Sequence, residues 1–196
     1  MPYITPVGST ETQDFLIGEE GTKRDAETEG FLTDRVADRG VAIILIIAAI
    51  AIPNLLRARI AANEASAVSS LRTINTSEVT YSTTYPTVGY AATLVALGPA
   101  DATCSAGPAQ ANACMLDFNL GSAATTAKSG YLLDAANDGN VPSLVYTAGA
   151  GAQTWNQTGV RSFCSVQDAV LRFLVPAATT APTTVPATCL TYTIMQ

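Results

Sequence analysis

Twelve apolar residues follow one another without a break from Val41 to Ile52: Val-Ala-Ile-Ile-Leu-Ile-Ile-Ala-Ala-Ile-Ala-Ile. Pro53 ends the run. Twelve residues are fewer than the roughly 20 that an α-helix needs to cross a bilayer. Taken alone, the run is therefore compatible with a buried helix, an interfacial helix, a truncated membrane span or a core strand.

Apolar residues continue beyond Pro53 at steps of three and four, which is typical of one face of a helix. They are Leu55, Leu56, Ile60, Ala61, Ala65, Val68, Leu71, Ile74 and Val79. The opposite face of the predicted helix is polar and carries Arg57, Arg59, Asn63, Glu64, Arg72 and Glu78. The pattern predicts a helix from about residue 41 to residue 84, roughly 65 Å long. The remaining chain is too small to cover such a helix, so part of it needs apolar partners in lipid or in other copies.

Pro53 removes one main-chain hydrogen bond, so we expect a kink or local loosening of the helix there. The alternative is that Pro53 occupies the first turn of a helix that begins near residue 53. Arg57 and Arg59 follow the apolar run directly, where they either reach phospholipid headgroups or are solvated, and we favour the headgroups.

Most of the net charge lies near the N-terminus. The 196 residues hold 16 acids and 10 bases, a net charge of −6, and residues 1–40 hold nine of the acids and four of the bases, which leaves −5 there. The acidic balance argues against nucleic-acid binding.

The chain has no His, the commonest general base and metal ligand. With no nucleophile–base pair, phosphate loop or glycine fingerprint, we expect neither an enzyme nor a cofactor site.

Composition divides the chain into three parts. Residues 1–30 mix acids, Thr and Gly without an apolar period, which predicts a disordered acidic leader. Residues 31–86 are expected to form the long N-terminal helix, with its membrane or filament-core part at about 41–56. Residues 87–196 are expected to form a β-rich head, so the fold class is α+β: a long helix packed against a small antiparallel sheet.

Short segments bounded by Gly, Asn, Asp and Pro predict the strands of the head. They are Met115–Leu120, Gly130–Asp134, Leu144–Thr147, Val160–Val166, Ala169–Val175 and Leu190–Met195. Gln167-Asp168 predicts a hairpin between two of them. Ala177–Ala187 is rich in Thr and Pro and predicts a loop of polyproline character.

Four cysteines in a small, sparsely charged body favour an oxidising compartment. Of the three possible pairings we predict Cys104–Cys114 and Cys164–Cys189, each contributing roughly 2–4 kcal/mol. The spacings between these cysteines do not fit those of zinc ligands.

Calcium binding by Asp134, Asn137, Asp138 and Asn140 is less favoured than an ordinary turn. Asn75 and Asn156 begin glycosylation sequons, and Trp155 is expected to be a packing residue.

The segment Ala42–Leu97 carries a resemblance to a known family. The apolar run and Pro53 are followed by Asn54-Leu55-Leu56-Arg57-Ala58-Arg59 and by a long amphipathic helix that leads into a β-rich head. This arrangement resembles the type IV pilin and type II secretion pseudopilin family. In the head, Lys128–Tyr131 and Thr158–Phe163 are similar to strand starts of the same family.

The resemblance implies a pilin-like fold and a structural function: a subunit of a type IV pilus or pseudopilus filament that serves adhesion, motility or type II protein secretion. The implied partners are copies of the chain through the N-terminal helix, a prepilin peptidase, an inner-membrane assembly platform and the lipid bilayer. The implied location is the inner membrane before assembly and a periplasmic or extracellular filament afterwards. The alternatives are a soluble extracytoplasmic binding module and a non-assembling pilin relic.

The resemblance also implies a processing site. The family's leader is cut after a Gly and before a Phe that is then N-methylated, which corresponds here to Gly30 and Phe31. The family has a Glu four residues after the Phe, and this carboxylate is neutralised by the amino terminus of a neighbouring subunit. Here the fourth residue is Arg35, which does not fit that role.

Residues 32–40 read Leu-Thr-Asp-Arg-Val-Ala-Asp-Arg-Gly where the family has an apolar run. Their charged residues would each cost a few kcal/mol at a bilayer centre. Read one base out of frame, their codons are compatible with Phe-Ser-Leu-Ile-Glu-Leu-Leu-Ile-Val from Phe31 onward, which is the family's signature. We interpret residues 32–40 as a frameshift scar and expect the true membrane span to be about 21 residues long.

Overall fold

The computed structural model describes the backbone of residues 20–101, 103–175 and 181–196, and the side chains of that part from residue 41 onward. The chain divides into two units at the Ala51–Ile52 boundary. Residues 1–19 of the predicted leader and residues 177–180 of the predicted Thr- and Pro-rich loop lie outside the described residues.

One long helix, α1, runs from Glu20 to Thr84 and contains 65 residues. Its C-terminal end confirms the prediction, since Tyr85-Pro86 follows. Its beginning corrects two predictions. The helix starts before residue 31, and residues 20–30 are helical rather than part of a disordered leader. Glu, Lys, Arg and Ala are strong helix formers, and in this stretch they outweigh Gly21 and Gly30. Pro53 lies inside α1, so the alternative of a helix that begins near residue 53 is wrong.

In the part of the chain that the structure describes, five antiparallel strands form one sheet in simple sequence order. They are β1 (Tyr131–Asn137), β2 (Tyr146–Ala152), β3 (Ser162–Val166), β4 (Arg172–Leu174) and β5 (Thr193–Ile194). The register places Leu133 opposite Ala150, Ala150 opposite Phe163, and Phe163 opposite Phe173. A long helix together with a small antiparallel sheet confirms the α+β class.

The strand boundaries differ from the predicted ones, and one predicted strand is wrong. The described residues also form three short helices, α2 (Leu94–Leu97), α3 (Phe118–Gly121) and α4 (Pro186–Cys189). Because α3 occupies the second half of Met115–Leu120, that segment is not a strand; Asp117, Asn119 and Gly121 are poor strand formers. The predicted strand over 144–147 instead continues to Ala152. The predicted strand over 190–195 shrinks to β5, and β3 and β4 confirm the hairpin around Gln167-Asp168.

The main core lies between α1 and one face of the sheet. Alternate residues of β1 and β2 point to the same face, so that Tyr131, Leu133 and Ala135 lie beside Ala152, Ala150 and Ala148. Buried residues of α1 complete this core, namely Ala67, Val68, Leu71, Ile74 and Tyr81. The small residues of β2 leave room for the larger side chains of α1.

A C-terminal segment covers the other face of the sheet. Gly149 makes this possible, because a Cβ at that position would lie 2.2 Å from the carbonyl oxygen of Thr183. The Cys164–Cys189 disulfide links β3 to α4 and thereby fixes this segment. The second disulfide joins Cys104 to Cys114 across a loop. These are the two pairings predicted from the sequence.

Candidate functional site

The apolar part of α1 is exposed on all sides of the helix. Ten large apolar side chains between Val41 and Leu56 have exposed fractions from 46% at Leu56 to 71% at Ile50: Val41, Ile43, Ile44, Leu45, Ile46, Ile47, Ile50, Ile52, Leu55 and Leu56. We call residues 41–56 the apolar segment. Single exposed apolar residues are common on soluble proteins, whereas a continuous surface of this kind marks a contact with lipid or protein.

The helix between Val41 and Thr84 is long and apolar enough to cross a membrane by length and composition. A core helix of a soluble protein would pass the same test, but its most apolar window would be mostly buried. Here that window has no buried residue. The 16 residues of the apolar segment rise about 24 Å, close to the roughly 30 Å of a hydrocarbon core. Arg57 and Arg59 are exposed directly after it.

Glu64 marks the place where α1 enters the head. It is 5% exposed, and its Oε1 accepts hydrogen bonds from the backbone N–H groups of Val160 and Arg161, at 3.0 and 3.1 Å. Its Oε2 accepts a hydrogen bond from Arg161 Nε at 2.7 Å and pairs with Nη2 at 2.6 Å. Next to it, Asn63 Nδ2 donates to the carbonyl oxygen of Thr158 at 2.9 Å. These bonds fix the β2–β3 loop, residues 153–161, to α1.

A second polar group ties α1 to the centre of the sheet. The Tyr146 hydroxyl donates to Asn75 Oδ1 at 3.0 Å, and Asn75 Nδ2 donates to Ser165 Oγ at 3.0 Å. Each buried partner is satisfied, so this network stabilises one register of the helix on the sheet. Asn75 is 6% exposed, so its sequon is not accessible in the folded head.

Glu78 is fully buried in the head, well beyond the apolar segment. Its Oε2 accepts a hydrogen bond from the backbone N–H of Ala91 at 2.9 Å. Its Oε1 has no hydrogen-bond partner among the described residues. Burial away from water disfavours the charged form and raises the pKa of Glu78 to about 7, although the Ala91 bond opposes the shift.

The prediction that Glu64 and Glu78 lie on the polar face of the helix is wrong, because both side chains are buried. Glu64 lies four residues after Ile60 and four before Val68, and Glu78 lies four after Ile74, so their spacing belongs to the buried face. This spacing is the feature of the sequence that indicates burial of Glu64 and Glu78. The partners that make their burial possible come from distant parts of the chain, which local patterns do not reveal.

Metal binding has no support from the described part of the chain. It contains no cluster of three or more His, Cys, Asp or Glu side chains that could hold an ion. Asp138 instead organises a turn, accepting hydrogen bonds from Asn140 N–H at 3.2 Å and from the Ser143 hydroxyl at 2.6 Å. The Ser143 bond is the main cause that lowers the pKa of Asp138. The turn predicted there is therefore confirmed.

Three predicted positions have different outcomes. Gly30 and Phe31 lie in the helical backbone of α1, and their side chains are outside the described part, so the processing site stays a prediction. Pro53 lies within α1, and the kink expected there also stays a prediction. Trp155 is 51% exposed, so its interpretation as a packing residue is wrong.

No protein-family model matches the sequence, and no curated protein and no solved structure matches it. Fold and site nevertheless define a class: an α+β protein with a disulfide-bonded five-stranded antiparallel sheet and an exposed helix that could cross a membrane.

Proposed function

We propose that the chain is a structural subunit of a type IV pilus or pseudopilus-type filament, which assembles by helix–helix packing. The observation that carries this proposal is the division of α1 into two parts. From Glu64 to Tyr81 the helix has a face buried against the head, whereas the apolar segment has ten large apolar side chains exposed. Such a segment requires lipid or other copies of itself as a partner.

In this proposal the apolar segment lies first in the lipid bilayer and later in the assembled filament. Before assembly it lies in the inner membrane, where lipid covers its side chains and Arg57 and Arg59 lie among headgroups. On assembly, the segments of neighbouring subunits replace lipid. Ala48, Ala49 and Ala51 are small enough to let helices approach closely, which is how helices associate in an apolar environment.

The head contributes a folded body that remains attached to this helix. The Glu64–Arg161 pair and the Asn75–Tyr146 bond connect α1 to the sheet at two levels. The disulfides stabilise the head where thiols are oxidised, each by roughly 2–4 kcal/mol. The proposed role is adhesion, motility or type II secretion in a pilin-like fold, with no enzyme activity and no cofactor.

The proposed maturation involves a prepilin peptidase that cuts between Gly30 and Phe31, followed by transfer to an inner-membrane assembly platform. The mature chain then belongs to a periplasmic or extracellular filament. Residues 32–40 as written oppose this route, because Asp34, Arg35, Asp38 and Arg39 occupy the first part of the expected span. The frameshift interpretation removes that conflict.

Independent sequencing of the DNA that encodes residues 28–44 tests the proposal at this point. We expect the bases to restore Phe-Ser-Leu-Ile-Glu-Leu-Leu-Ile-Val after Gly30, with the Glu four residues after the Phe. Confirmation of Asp34, Arg35, Asp38 and Arg39 would instead mean that the chain is not processed and packed as a pilin. The relic or the soluble binding module would then be the better interpretation.

A further inference from the structure

Trp155 is exposed on a loop that is itself well ordered. It is the single Trp of the chain and lies in the β2–β3 loop. Within this loop, Asn156 N–H donates to the Gly159 carbonyl oxygen and Thr158 N–H donates to that of Thr154, both at 2.9 Å. The Thr158 hydroxyl oxygen also accepts a hydrogen bond from Thr154 N–H at 3.0 Å. A large indole held on a hydrogen-bonded loop, with half of its surface exposed, is not explained by packing in the head.

The loop lies at the end of the sheet where α1 enters the head. Two sets of contacts give the direction of β2 along α1. At the start of β2, Tyr146 bonds to Asn75, and after the end of β2 the loop bonds to Asn63 and Glu64. The strand therefore runs towards the N-terminal end of the part of α1 that lies in the head, and the loop that follows it lies beside Asn63 and Glu64.

The loop is bonded to α1 within a few ångströms of the outer edge of the expected headgroup region. Leu56, the last residue of the segment, precedes Asn63 by seven residues, which is about 10 Å along a helix. The headgroup region on one side of a bilayer is about 5–8 Å thick. Arg57 and Arg59 lie within the interval, as expected for residues that contact headgroups.

We propose that Trp155 anchors the head to the headgroup region of the membrane that holds the apolar segment. Indole has an apolar body and one polar N–H group, and Trp is enriched at membrane–water interfaces for that reason. The remaining side chains around it in the loop, Gln153, Thr154, Asn156 and Gln157, are polar and exposed and suit the same environment. This inference rests on the proposed membrane span of α1.

The fluorescence of the single Trp tests the anchor without any mutation. The full chain is reconstituted into vesicles of phosphatidylethanolamine and phosphatidylglycerol, and only chain that floats with the vesicles is measured. We expect blue-shifted emission, strong quenching by lipids brominated close to the headgroup, and weak quenching by acrylamide. The control is the double variant W155F/V79W. Val79 is half-exposed on α1 and lies sixteen residues beyond Asn63, about 24 Å farther from the bilayer.

Acrylamide should quench Trp155 several-fold less than the Trp of W155F/V79W. Floating chain whose Trp155 is as accessible to acrylamide as that control, and is not quenched by brominated lipid, would overturn the anchor and leave the span intact. Protection from acrylamide without quenching by brominated lipid would place the ring against a neighbouring copy and overturn it as well. Chain that does not float would overturn both the span and the anchor.

Discussion

Replacement of Ile46 and Ile50 by Asp is expected to release most of the chain from vesicles that retain the unaltered chain. The side chains are 62% and 71% exposed in the apolar segment, so the substitutions remove no contact within the head. Each Asp near the centre of a membrane helix costs about 2.5–3.5 kcal/mol. The two together correspond to a loss of more than about 1000-fold in partition, since about 1.4 kcal/mol is a factor of ten.

Flotation in a sucrose gradient measures this loss as the fraction of chain that moves with the lipid. The matched control is the variant V141D/L144D, which adds the same two charges at exposed apolar positions of the head. It should float like the unaltered chain. If I46D/I50D floats to the same extent as this control, the apolar segment is not what holds the chain in the membrane.

The free energy of unfolding of the head is expected to fall as the pH rises from about 4.5 to about 8, because of Glu78. Its pKa is about 7 in the folded head against an ordinary value of 4.5. The folded state therefore binds the proton more tightly, so this stabilisation is complete below pH 4.5 and is lost as the pH rises through 7. A shift of this size corresponds to about 3 kcal/mol.

The variant E78Q should remove most of this pH dependence, because its side chain does not ionise. Urea unfolding of the detergent-solubilised chain at several pH values, followed by near-ultraviolet circular dichroism, gives the required free energies. The matched control is D117N, at an exposed carboxylate, which should keep the slope. The pKa values of Asp138 and Asp168 are lowered, so their effects fall below this pH range. Burial raises the pKa of Asp134, so this group adds a slope of the same sign that E78Q keeps. An equal slope in E78Q and in the unaltered chain would contradict this account of Glu78.

Local patterns in the sequence were sufficient where one element repeats a regular period. The C-terminal end of α1, the apolar segment and strand β3 follow from spacing and from Pro86, because apolar side chains must face one partner at the period of the backbone. The predicted strand over 144–147 covers only the first two residues of β2. Its second half, Ala148–Ala152, consists of Ala and Gly, whose weak strand preference is overcome by packing between α1 and the C-terminal segment.

The buried carboxylates show where such reasoning fails. The charge of Glu64 predicts an exposed side chain, whereas its four-residue spacing from Ile60 and Val68 predicts a position on the buried face of α1. The groups that satisfy its carboxylate, on Val160 and Arg161, lie 96 and 97 residues away in sequence. The position of Trp155 also depends on long-range structure, because the direction of β2 along α1 decides which loop lies beside Asn63 and Glu64. Neither feature is contained in a local pattern.

Photo-crosslinking from the apolar segment tests the central claim most directly. A benzophenone amino acid replaces Ile50, the most exposed of the ten large apolar side chains, in the full chain expressed in a bacterial envelope. The same amino acid at Asn140, on an exposed turn of the head, is the control. We predict that light produces dimers and a ladder of larger products of the chain from position 50 and few or none from position 140. A chain that stays monomeric from position 50 in a soluble fraction would contradict assembly through this helix.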